Sequence, residues 1–120
     1  MTYEDLMTHE EAAILAAVLI DGCQNERLMR VLHCDLLPSK AAKCVTHAIR
    51  VLDSKDLDVD VITVFEYIRD SGLLKKEYPS VQPLLSIKVL NSIVLTILSA
   101  SETKALVDGF LGCTEEGGDE

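Results

Sequence analysis

The chain has 120 residues, enough for one domain with an ordinary core, and 48% of them are apolar, which excludes intrinsic disorder for most of its length. With 11 Lys and Arg against 20 Asp and Glu its formal charge is −9. Phosphate backbones select dense basic surfaces, so direct nucleic-acid binding is not expected.

With no Trp, two Phe and three Tyr, the core must be built from Leu, Ile, Val and Ala. Residues 1–7 carry Glu4 and Asp5 and no basic side chain, unlike a secretory signal, and read as an N-terminal arm. Thr8-His9-Glu10-Glu11 is a capping box: the Thr8 hydroxyl accepts from the Glu11 amide while the Glu11 carboxylate reaches back. The helix it opens is apolar on nearly every side from Ala12 to Ile20, which predicts a central place in a bundle. Asp21-Gly22 closes it, Gly22 supplying the left-handed conformation. A short helix follows, capped near Asn25, with Leu28, Val31 and Leu32 on one stripe. His33 falls at its C-terminus, where an imidazolium complements the helix dipole.

Pro38 suits the first turn of a third helix, on which Ala41, Cys44, Val45, Ala48, Ile49 and Leu52 recur at helical spacing. Lys40, Lys43, His47 and Arg50 form its solvated face. Asp56, Asp58 and Asp60 alternate as calcium ligands do, but Val61 stands where that loop needs Gly and Tyr67 where it needs Glu. Asp60 is the better N-cap for a helix carrying Val61, Val64, Phe65 and Ile68. Ser71-Gly72 closes that helix, with Leu73 and Leu74 folding back.

Pro83 marks the next helix start, with Leu84, Leu85, Ile87 and Leu90 behind it. Asn91-Ser92 reads as a break and an N-cap for Ile93 to Leu98. Ser99-Ala100-Ser101 either restarts a helix or lies within one ending near Gly109 or Gly112. Residues 113–120, with Glu115, Glu116, Asp119 and Glu120, read as an acidic flexible tail. The apolar stretch from Leu84 to Ala100 is interrupted by Lys88, Asn91 and Ser92, which fits a helical hairpin in water and not a membrane span. A cytoplasmic location is expected. No segment requires a strand. The expected fold is all-α: a compact bundle of about five to seven helices over residues 8–112, ending in a C-terminal helical hairpin.

Cys23, Cys34, Cys44 and Cys113 form no CxxC pair and read as reduced, mostly buried hydrophobes. A zinc site from His33, Cys34, Cys44 and His47 lacks the tight knuckle spacing of structural sites. The chain has no GxxxxGK[ST] loop, GxSxG or HExxH, and no Cys-His pair in a recognisable nucleophile setting. No catalytic, cofactor-binding or metal-ligating residue is therefore assigned, and the chain reads as a non-enzymatic interaction module.

In this order the signals resemble the N-terminal domain of DnaB-type replicative helicases. Glu11-Ala12-Ala13-Ile14-Leu15-Ala16-Ala17-Val18-Leu19-Ile20-Asp21 is similar to that family's opening E-x-A-V-L-G-A-x-L-x-D helix. Pro38 to Leu52, with Ala48-Ile49-x-x-Leu52, is similar to P-x-H-x-x-I-F-x-A-I-x-x-L. Val59-Asp60-Val61-Ile62-Thr63-Val64-x-x-Tyr67-Ile68, followed by Ser71-Gly72-x-Leu74, is similar to V-D-x-x-T-V-x-x-x-L and G-x-L. The likeness runs from Glu10 to about Leu85 and weakly on to Leu111. Ala16 for the family's usual Gly, the missing aromatic at Ala42-Lys43-Cys44, and Tyr67 for an apolar residue mark a divergent member, as from a phage or mobile element.

The resemblance implies a helical domain of DNA replication whose terminal hairpin pairs subunits into a collar that receives primase or a helicase loader. The apolar excess between Leu84 and Leu111 fits such pairing. Leu90, Val94, Ile97, Leu98 and Leu106 are the candidate partner interface. Two other readings remain open. One is a standalone protein copying this domain, which binds a replicative helicase to block, load or redirect it. The other is an unrelated helical regulator that binds peptides.

Overall fold

Apolar side chains on every face leave the first helix no place but the interior, and the rest of the chain wraps around it. The computed structural model describes residues 2–21, 23 and 25–118. The helices are α1 (His9–Asp21), α2 (Glu26–His33), α3 (Lys40–Ser54), α4 (Val61–Asp70), α5 (Gly72–Glu77), α6 (Ile87–Val94) and α7 (Ala100–Gly118), with 3-10 turns at Tyr3–Asp5 and Gln82–Leu84. The fold is all-α, with no strand among the described residues. A Cα radius of gyration of 13.6 Å is that of a single folded domain of this length.

Every side chain from Ala12 to Leu19 is buried, and α1 packs against α2, α3, α6 and α7. The third-helix stripe of Ala41, Cys44, Val45, Ala48, Ile49 and Leu52 is buried, and α4 inserts Val64 and Ile68 against α3 and α6. The last two helices follow each other across residues 95–99, and each packs on α1, α6 also on α4 and α7 also on α2. The N-terminal arm packs too: Met7 is buried, and the Tyr3 amide donates to Ser92 Oγ at 3.2 Å.

Short polar side chains set most helix starts. Asn25 Oδ1 accepts from the Leu28 amide at 3.0 Å and Asp60 Oδ1 from the Thr63 amide at 2.9 Å, as the sequence predicts. Ser99 Oγ accepts from the Glu102 amide at 3.3 Å, so Ser99 to Ser101 does restart a helix. Helix ends α2 and α3 both close in Schellman motifs with an aspartate in the left-handed position, Asp35 at φ 54° and Asp56 at φ 57°. The Leu36 amide reaches back to the Val31 carbonyl and the Leu57 amide to the Leu52 carbonyl.

Several boundaries differ from those expected. Pro38 precedes α3, whose N-cap is Ser39. Ser71 ends α4 but also caps α5, Oγ accepting from the Leu74 amide, so Gly72 opens a helix instead of closing one. Pro83 lies in the 3-10 turn, and α6 starts only after Ser86, whose Oγ accepts from the Val89 amide. Asn91 and Ser92 lie inside α6; the Ser92 hydroxyl donates to the Val89 carbonyl at 2.6 Å, the back-bonding that lets a serine stay within a helix. Helix α7 passes Gly109 and Gly112 and runs to Gly118. The closing role expected of Gly22, and residues 119 and 120 of the expected tail, lie outside the described residues.

Candidate interaction surface

The N-terminal end of α1 is polar and closed. Glu11 is only 1% exposed, yet its carboxylate takes four hydrogen bonds: from the Thr8 amide and hydroxyl, each at 2.9 Å, and from the Ser39 amide and hydroxyl at 2.8 and 2.7 Å. The capping box is as predicted, and Thr8 Oγ1 accepts from the Glu11 amide at 3.2 Å. The bond to Ser39 is not local: one carboxylate ties the start of α1 to the start of α3. Burial pushes its pKa up, but the Ser39 and Thr8 donors outweigh that and hold it below the ordinary value. Oε1 accepts three of these bonds and Oε2 one, which gives the buried group a structural explanation.

The opposite end of α1 is apolar and open. Ile20, the last apolar residue of the run, is 52% exposed. It lines a groove of about 520 Å³ together with Ala17, Ile97, Leu98, Ala100 and Val107, which come from α1, the α6–α7 connection and α7. Asn25, Arg27, Thr103 and Lys104 form the polar rim, and Arg27 pairs with Asp108 at 2.6 Å. Two residues before Ile97 the chain turns Leu95 outward, 82% exposed, while Ile97 itself is 47% exposed. A protruding leucine beside an apolar groove is costly in water and useful against another surface.

Comparison with family models, curated proteins and solved structures found no match. The reading of this surface therefore rests on its own geometry and on the sequence motifs.

Of the five residues chosen from sequence, Ile97 and Leu98 meet in this groove. Leu90 is fully buried in α6 and offers no surface in this conformation; Val94 is half-buried against the core. Leu106 is half-buried and lines a separate depression with Pro38, Gly109 and Phe110 near the closed end of α1. Ile20 and Leu95 were missed. Ile20 is the last apolar residue before the α1 stop, and nothing in the sequence separates it from the buried run Ala12 to Leu19. Leu95 follows the end of α6, a boundary that Asn91-Ser92 concealed.

Among the described residues no group of three or more His, Cys, Asp and Glu side chains could hold a metal ion. His33 and His47 do line one shallow depression, but Cys44 is buried in the core and Cys34 is exposed and not among its lining residues, so the four residues weighed and set aside as zinc ligands do not line one site. The expectation of buried cysteines holds for Cys44 and not for Cys34; Cys23 is intermediate, and the Cys113 side chain lies outside the described residues. Burial pushes the Cys44 thiol up to about 12 and, with Asp53 beside it, the Cys23 thiol up to about 11, so neither is a nucleophile at neutral pH. No described helix is long and apolar enough to cross a membrane.

Proposed function

We propose that the chain is a non-catalytic protein-interaction domain of DNA replication that pairs with a second copy through the open end of α1, acting like the helicase N-terminal collar it resembles. One observation carries the reading: Leu95 protrudes from the chain two residues before Ile97, which with Ile20 and Leu98 lines an open groove. A knob beside a hole on one surface is self-complementary about a two-fold axis, because each copy's knob can enter the other's hole. Burying a leucine or isoleucine side chain contributes roughly 1.5–3 kcal/mol, so Leu95, Ile97 and Ile20 are the expected anchors, with the Arg27 and Lys104 rim adding little. The ordered motifs of the helicase family and the all-helical fold support the placement in replication.

Light scattering behind size exclusion tests the pairing. A dimer is expected at high-micromolar concentration, with Leu95→Glu monomeric and Leu73→Glu, at a half-exposed apolar residue on α5, still dimeric. A wild-type monomer throughout, or equal loss in both variants, overturns it. Co-elution with a replicative helicase or primase is the outcome expected of the replication role; a dimer that retains neither removes that part of the reading.

A further inference from the structure

Helix α4 carries two stripes. Val64 and Ile68 face the core, whereas Thr63, Glu66, Tyr67 and Asp70 recur at i, i+3, i+4 and i+7 and line a groove of about 560 Å³. The opposite wall is the Schellman turn after α3, with Leu52, Leu57 and Asp58. The floor is apolar. Leu57 occupies the position that ordinarily packs back on the helix end, yet it stays 53% exposed. The walls are acidic: Asp58, Glu66 and Asp70 face the groove and no Lys or Arg lines it. Arg69 lies beside it, forking onto Asp70 at 2.9 and 3.0 Å with its guanidinium 5.5 Å from the Phe65 ring centre, which holds the Asp70 carboxylate in place.

We propose that this groove docks a basic amphipathic helix from a partner protein, its apolar side chains on Leu57 and Tyr67 and its Lys or Arg side chains toward Asp58 and Glu66. The chemistry selects that occupant. A phosphate backbone would be repelled by the Asp58 and Glu66 carboxylates, Asp70 being paired with Arg69. A metal ion is a poor fit, since no such cluster among the described residues can hold one. A wholly apolar segment would leave the acidic walls unpartnered, and a wholly basic one would leave Leu57 in water; alternating apolar and cationic residues satisfy both. None of these residues lines the groove at the end of α1, so this proposal stands apart from the pairing reading.

Fluorescence anisotropy with the full chain tests it, using a labelled amphipathic Leu/Lys helical peptide and a Leu/Glu peptide of the same spacing. The Leu/Lys peptide is expected to bind saturably and the Leu/Glu peptide not at all. Glu66→Lys and Leu57→Ser should each weaken binding about tenfold or more, whereas Glu26→Lys on α2, with the same change in net charge, should stay within about twofold. Asp58→Lys, placed in a connection, repeats the test without touching α4. Equal losses in Glu66→Lys and Glu26→Lys would mean general attraction to an acidic protein, and equal binding of both peptides would remove the charge argument; either overturns the proposal. Loss of a self-dimer in Glu66→Lys would make a second copy the occupant and overturn it too.

Discussion

At its N-terminal end α1 buries a carboxylate that accepts four hydrogen bonds; at its C-terminal end it leaves Ile20 half in water on a groove shared with Ile97. The two ends belong to one helix and share one core, so the difference does not come from local stability. A buried charge is tolerable only when fully hydrogen-bonded, and Glu11 meets that condition by joining two helix starts. Leu95 has no such satisfaction: it is 82% exposed, an apolar side chain that gains nothing from the described residues around it. One end is satisfied within the monomer, and the other is the surface on which the proposed pairing rests.

The largest effect should come from opening the closed end. Glu11→Ala removes four hydrogen bonds and leaves the Ser39 and Thr8 donors stranded, and chemical denaturation should show a loss of about 3 kcal/mol. The acid limb gives the same test without a cavity. Because the folded pKa of Glu11 lies below its ordinary value, its contribution is complete above the ordinary carboxylate range and is lost as pH falls through the folded pKa. Glu11→Gln should flatten that dependence. At the open end the sign differs: Leu95→Glu should weaken self-association by about 2 kcal/mol while leaving the melting temperature of the monomer unchanged.

Two smaller changes sharpen the contrast between satisfied and unsatisfied groups. Thr46 is buried in α3, and its hydroxyl has no hydrogen-bond partner among the described residues. Thr46→Val keeps the shape and removes the orphan, so denaturation should show a gain of about 1 kcal/mol. Asp56 holds φ 57° at the close of α3. Asp56→Gly relieves the left-handed strain and should stabilise by about 0.5 kcal/mol in the same assay.

Where a short polar residue precedes an apolar stripe, as at Thr8, Asn25 and Asp60, the sequence is a good guide, because the cap bond is made within one turn. The same residue types mislead inside α6. Asn91-Ser92 resembles a break, but burial of Val89, Leu90 and Ile93 carries the helix through, and Ser92 finds its partner one turn back. Ser39 shows a different limit: its contact with Glu11 spans 28 positions and leaves no local trace. The open surface was legible only in part. Ile97 and Leu98 stand in the apolar excess after Leu84, but separating them from buried Leu90 requires knowing where α6 ends, and Ile20 closes an apolar run whose other members, Ala12 to Leu19, are all buried.

The most direct measurement is methyl NMR of the wild-type chain on dilution. If the open end of α1 pairs copies, the methyl resonances of Ile20, Leu95 and Ile97 shift together with concentration while those of Leu57 and Leu73 stay fixed. Methyls at the open end that do not move, or shifts centred on Leu57 or Leu73, would contradict the account.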